Sequence, residues 1–259
     1  MGVIEFKKIS ESNFLCSLYL AELYKDKAQL KIFNSKWEEF YNSDETNSHV
    51  LSRKGNIITY PHKSWIPTKN SSRSSLLILS GNPAPHSVWK DIYYAYEGKG
   101  REHRFWKVLR ELGFVDLYGN DIDIKNKFLN LEYNSPFRLG FEVIFTFPST
   151  ASKPKWSGVM GLERLFGRKY LYQIYELEKP RLKLVINSFF KNSSGLIIAM
   201  QKDAYNAVST NKYNLKLAVE GKLLSKINGI QVVGTPPTRW LYTKKMKSLL
   251  TDIKAGWIN

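Results

Sequence analysis

Four short apolar runs constrain this chain more than any other feature: "SLLILSG" (75–81), "LGFEVIFTFPS" (139–149), "GLIIAMQ" (195–201) and "IQVVGTPP" (230–237). Each has the length of a strand, and each is apolar almost throughout instead of alternating with polar residues. That is how a strand buried on both faces reads. Between them lie stretches with helical spacing. In "REHRFWKVLRELG" (101–113), Phe105, Val108, Leu109 and Leu112 share one face and Gly113 supplies the stop. The basic "YLYQIYELEKPRLKLVINSFFKN" (170–192) is a second helix candidate. Buried strands alternating with helices predict an α/β fold of three layers, with a central four-stranded, mostly parallel sheet flanked by helices.

The 259 residues, 43% of them hydrophobic, suffice for one large domain core. The expectation is a single domain over 1–259, with an α/β core at 71–259 and an N-terminal helical extension and lead-in segment at 1–70. In "NFLCSLYLAELYKDKAQLKIFNSKWEEFY" (13–41), Phe14, Leu18, Leu20, Leu23 and Tyr24 recur at helical intervals. "GNIITYPHKSWIPTKNSSRSS" (55–75) then offers a β-prone run, two prolines and a Ser-rich connector.

Charge narrows the choice of partner. Lys and Arg number 39 against 23 acidic residues, a net charge of +16. A surface so cationic suits a polyanion, because phosphate contacts release counterions, and the 14% aromatic content suits unstacked bases. Nucleic acid is the leading partner. Cys16 is the sole cysteine, which excludes a disulfide framework, zinc knuckles and cysteine-ligated iron–sulfur clusters. His49, His62, His86 and His103 lack paired ligand spacing, so neither a metal nor a cofactor is expected. There is no Gly-x-x-x-x-Gly-Lys-Ser/Thr loop and no carboxylate cluster, which speaks against a metal-dependent nuclease or nucleotide-processing enzyme. With no apolar run of about 18 residues and charges in "MGVIEFKKIS", the expectation is a soluble, cytoplasmic protein that does not enter membranes.

Ligands of parallel sheets gather at the carboxyl ends of the strands. Here those ends are "SGNPAPHS", "TFPSTASKPKW", "MQKDAY" and "GTPPTRW", three of the four rich in Pro, Ser, Thr or basic residues. Asn82, between Gly81 and Pro83, is also what a tight turn asks for.

Two of these motifs carry a resemblance. Gly81-Asn82-Pro83-Ala84-Pro85 at a strand end, followed by His103-Arg104-Phe105-Trp106, resembles the uracil-DNA glycosylase superfamily, most closely its mismatch-specific and single-strand-selective branches. "VVGTPPTRW" falls where that superfamily carries its third motif, with Pro236, Pro237 and Thr238 in the motif positions. The resemblance spans roughly 76–253. It implies a monofunctional DNA glycosylase that acts as a monomer on double- or single-stranded DNA, flips a nucleotide out of the stack and hydrolyses its N-glycosidic bond.

The resemblance also distributes roles. Asn82 would hold the attacking water, positioning it without acting as a strong base. His86 would donate to a phosphate or to the base. Gly81, Pro83, Ala84 and Phe147 would line the base pocket. Tyr94 or Tyr96 would stack on the flipped base, with Tyr93 a further candidate. Glu97 would serve as auxiliary base or read an exocyclic amine, unless it is an ordinary solvated charge. Ser87, Arg101, Arg104, Thr238 and Lys244 would contact the DNA backbone, while Arg239 or Trp240 fills the gap left by the flipped nucleotide.

Two departures bear on specificity. Pro236 stands where the family has a His or Asn donor, and Thr146, Phe147 and Ser149 stand where uracil readers carry an Asn. Relaxed or redirected base selection is therefore expected: uracil, a damaged base and a hypermodified base of phage DNA all stay open. A catalytically silent nucleic-acid-binding module of the same fold is the alternative.

Overall fold

The start of the chain follows strand alternation and not helical spacing. In the computed structural model, which describes residues 2–9, 13–95, 101–150, 153–191 and 195–258, the expected N-terminal helix begins as two strands, β1 (Ile4–Lys8) and β2 (Asn13–Tyr19). The physical reason lies in the spacing itself: Phe14, Leu18 and Leu20 fit a helix, but together with Cys16 they also occupy every second position. Cys16 and Leu18 are buried while their neighbours Leu15, Ser17 and Tyr19 are exposed or half-buried, and they pair with Tyr60 and Ile58 of the neighbouring strand. That partner, distant in sequence, selects the strand. Only Leu20–Leu23 turns helical (α1). The helical expectation holds further on, where α2 (Lys27–Tyr41) is capped by Asp26, whose carboxylate accepts from the Ala28 amide at 2.8 Å, and buries Phe33, Trp37 and Phe40 along one stripe.

The chain divides into two compact units. The first comprises Met1–Ser64, Asn82–Tyr93 and Ile144–Lys183, so the N-terminal residues share a unit with two later segments. Its sheet is antiparallel in the order β1-β2-β4-β3, with β3 at Ser52–Lys54 and β4 at Ile57–Lys63. Around it stand the short α3 (Asn47–Val50) and α4 (Pro85–Lys90), with α7 (Gly158–Phe166) and the start of α8 (Arg168–Phe189), which continues into the second unit.

The second unit holds a five-stranded mixed sheet in the order β6-β5-β7-β9-β8. The four apolar runs supply its parallel part: β5 (Ser74–Ser80), β6 (Phe137–Val143), β7 (Gly195–Met200) and β9 (Ile230–Thr235). The expected count of four strands is corrected by β8 (Leu224–Ile227), antiparallel to β9. As an edge strand with no fully buried residue in "LSKI", it presents no apolar run. Its signal is the turn: Asn228 and Gly229, at φ of 49° and 82°, join Ile227 to Ile230 as the Asn-Gly pair of a two-residue hairpin.

Both faces of β6 are covered. Phe141 packs against Trp65, Phe105 and Trp106 of α5 (Arg104–Glu111), and Phe128 of α6 (Asp121–Leu129), while a side chain at Gly140 on the opposite face would meet Phe189 and Ile66. Three further helices complete the unit: α9 (Lys202–Val208), α10 (Leu215–Val219) and α11 (Lys244–Ile258). Among the described residues, no helix is long and apolar enough to cross a membrane.

Candidate active site and nucleic-acid interface

Asn82 leaves β5 through Gly81 and enters a turn that ends in Pro85, the first residue of α4. Proline at that position costs nothing, since the amide it lacks would have no partner in a first turn. The side chain of Asn82 is half-buried and held on one side only. Its Nδ2 donates to the Ser149 hydroxyl at 2.8 Å, with longer approaches of 3.4 Å to the carbonyls of Phe147 and Pro83. Ser149 in turn donates to the Gly158 carbonyl at 3.1 Å, and its amide donates to Pro83 O at 3.1 Å. Among the described residues no group donates to Asn82 Oδ1. An anchored amide with an unused carbonyl is an acceptor of fixed direction, which can orient a donor such as water.

The loop that carries Ser149 is anchored from beneath. Glu178 of α8 is buried, and its Oε1 accepts from the Thr146 amide at 2.8 Å and hydroxyl at 2.6 Å. Its Oε2 accepts from Arg181 Nε at 2.9 Å, and the Tyr60 hydroxyl lies 3.1 Å from that of Thr146. Burial pushes the Tyr60 phenol well above its ordinary range, with the neighbouring Cys16 and Glu178 adding to it. This buried polar network joins α8 and β4 to the turn between β6 and Ser149. Thr146, expected near the base edge, is therefore engaged in structure. So is the ring of Phe147: expected in the pocket wall, it is instead 1% exposed and packed edge-on against Tyr60 and Phe166, with Phe40 beside it. Only its carbonyl faces Asn82.

His86 is half-buried on α4, with Trp89 at 6.0 Å across an edge-to-face contact. It also stands close enough to Asp44 to act on that carboxyl. Burial works against ionisation of Asp44, but hydrogen bonds from the Thr46 hydroxyl (2.6 Å), from Thr150 and from the Thr46 amide (3.0 Å), together with the charge of His86, outweigh it and hold the carboxyl below its usual range. Ala84 is the extended residue before α4, and Ser87 is half-buried one turn into it. Asn82, Pro83, Ala84, His86, Ser87 and Phe147 thus all belong to the first unit.

Tyr93, half-buried, belongs to the first unit as well, and the remaining expected site residues that are described lie in the second unit. Gly81 is buried at the end of β5. Tyr94, at φ 56°, already lies flat on Phe105, 3.8 Å between ring centroids and 19° between planes, with His103 at 5.1 Å. Burial raises its phenol pKa, and a hydrogen bond with Ser80 offsets this only in part. The ring expected to stack on a base is thus stacked on the protein. Tyr96 and Glu97 lie outside the described residues.

The "HRFW" motif has a plain structural content. His103 Nδ1 accepts from the Phe105 amide at 3.1 Å, capping α5, and Phe105 and Trp106 are fully buried. Arg104 points outward, its guanidinium 5.4 Å from the ring centroid of the exposed Tyr242. Thr238, Arg239 and Trp240 form a 3₁₀ turn after β9, Arg239 being exposed and Thr238 and Trp240 half-buried; Lys244, at the start of α11, is exposed. Arg104 and Tyr242 therefore put a cation and an aromatic ring together on the surface of this unit. Arg101 is exposed as well. Pro236 is buried, and its carbonyl accepts from the Thr235 hydroxyl at 3.2 Å.

Sequence reasoning missed Ser149 as the anchor of Asn82, Glu178 beneath it, and Trp89 with His49. Each works through a partner far away in sequence, so no local spacing marks it. No protein-family model matches the chain, and no curated protein matches its sequence.

Proposed function

We propose that this protein is a monofunctional DNA glycosylase of the uracil-DNA glycosylase type, a cytoplasmic three-layer α/β enzyme acting as a monomer. The observation that carries the reading is Asn82: an amide fixed through Nδ2 by Ser149, with Oδ1 left as the acceptor for a water. A nucleotide bearing a uracil-like, damaged or modified base leaves the stack at a cost of a few kcal/mol, which contacts between phosphates and the cationic surface offset. The water held at Oδ1 then bonds to the anomeric carbon as the N-glycosidic bond breaks. The electron pair departs with the base, and the proton of the water passes to solvent. An amide orients but does not take up that proton, so turnover is modest.

A second reading, a catalytically silent DNA-binding module, is favoured by one residue. Pro236 brings no N–H to the place where the superfamily has a donor for the departing base.

One assay separates them. Purified protein is incubated with oligonucleotides carrying uracil, hypoxanthine, oxidised pyrimidines or mismatched thymine, and with phage DNAs of differing modification, followed by alkali. The glycosylase reading expects strand breaks that appear only after alkali and vanish in Asn82→Ala. Tight binding with no abasic product on any substrate supports the silent module, and scission before alkali sinks both.

A further inference from the structure

The first unit presents an aromatic surface that bond cleavage does not use. Trp89, near the end of α4, is 43% exposed, leaving a large aromatic ring open to a ligand. The imidazole of His49, from α3, lies flat against it at 4.2 Å between centroids and 9° between planes. Lys90 Nζ stands 4.1 Å from the ring centroid. Since a parallel imidazole fills one face, the ammonium must cover the other. His86 meets the ring edge-on.

This arrangement is built for exchange. The face under His49 is covered by a ring, which holds the indole in one orientation and removes much of the ordering cost of a contact there. Among the described residues, the ring or cation contact on the other face comes from the tip of a flexible side chain, Lys90. An exposed cation–π contact strengthens an equilibrium by about 2- to 5-fold, whereas a base stacked on an aromatic strengthens binding by about 5- to 150-fold. A base therefore displaces the ammonium. Among the described residues Lys90 pairs with no carboxylate, so the released cation is available to a phosphate. Apolar ligands of other kinds would use the ring but not the cation, and the chain's net charge of +16 favours the ligand that uses both.

We propose that Trp89, backed by His49, is a stacking platform for an unpaired base of single-stranded DNA, with Lys90 moving from the ring to the neighbouring phosphate. The proposal rests on the DNA-binding part of the function above and is independent of catalysis by Asn82.

The test compares a short labelled oligothymidylate with an oligomer of equal length and charge built from abasic spacers, by fluorescence anisotropy at low salt. The native protein is expected to favour the base-bearing strand. Trp89→Ala abolishes that preference, weakening the base-bearing strand about 5- to 150-fold and leaving the abasic one unchanged; Trp89→Phe, which keeps a π face, retains most of the affinity. Equal losses on both strands would mark a merely structural role and overturn the proposal, as would a preference that survives Trp89→Ala, a Trp89→Phe as weak as alanine, tighter binding to the matching RNA oligomer, or no binding by the native protein. Absence of alkali-labile product from every modified substrate would sink the glycosylase reading and leave this result standing.

Discussion

Asn82 and Ser149 form one hydrogen-bonded unit: the amide of Asn82 donates to the hydroxyl at 2.8 Å, and the hydroxyl in turn donates to Gly158 O at 3.1 Å. The direction of each bond follows from the last. Because Gly158 O can only accept, the hydroxyl hydrogen points there, its lone pairs face Asn82, and the amide must present its nitrogen. Oδ1 then faces away from Ser149. A serine so placed decides which end of Asn82 is offered to a ligand.

Ser149→Ala removes that decision. Loss of one neutral hydrogen bond of about 0.5 to 1.5 kcal/mol allows the amide to turn, so the single-turnover rate of base release should fall about 2- to 12-fold with oligonucleotide affinity unchanged. A rate equal to the native one, alongside an inactive Asn82→Ala, would show that the Phe147 and Pro83 carbonyls suffice to hold the amide.

Glu178→Gln tests the support beneath the loop. The variant keeps the shape but removes the charge that Arg181 Nε and both donors of Thr146 address. Breaking a buried pair from one side costs about 3 to 5 kcal/mol, so the urea midpoint should fall steeply at unchanged m-value. A midpoint within error of the native value would mean that the network is not a stabilising element.

Asp44 gives stability a dependence on acid. Its folded pKa is lowered, chiefly because hydrogen bonds from Thr46 and Thr150 outweigh the effect of burial, so its contribution is fully present above the unfolded pKa of about 3.9 and is lost as pH falls through the lower folded value. Asp44→Asn should therefore be less stable than the native protein at neutral pH, and thermal melts of the two should converge below about pH 4. A gap of constant size across that window would rule out the carboxylate charge as its source.

Arg239 and Lys244 are exposed beside the 3₁₀ turn after β9. If each neutralises one phosphate, the double variant Arg239→Gln, Lys244→Gln should bind all DNA sequences more weakly to the same degree and flatten the dependence of log affinity on log salt by about 2. An unaltered slope would place the backbone contacts elsewhere on the protein.

The strands of the parallel sheet were legible because burial on both faces leaves mostly apolar residues in them, and α5 was legible because Phe105, Val108 and Leu109 share one helical face. β8 was overlooked because an edge strand has no such run, although Asn228-Gly229 announced its hairpin. The N-terminal strands were illegible for a different reason: residues 14, 18 and 20 satisfy both periods at once, and only pairing with β4 discriminates. Phe147 misled in the opposite sense, since an aromatic next to a predicted site reads equally as pocket wall or core.

By itself, the sequence determined the α/β class, the cationic character, the exclusion of a cysteine framework, and Asn82 as the residue to watch, because these depend on composition and on neighbours a few positions away. Only the tertiary structure decided that Asn82 is anchored by Ser149, 67 residues further on, and that the exposed Trp89 rests on His49. Hydrogen bonds and ring stacks of that kind form between surfaces brought together by burial of the core, so their partners leave no periodic trace along the chain.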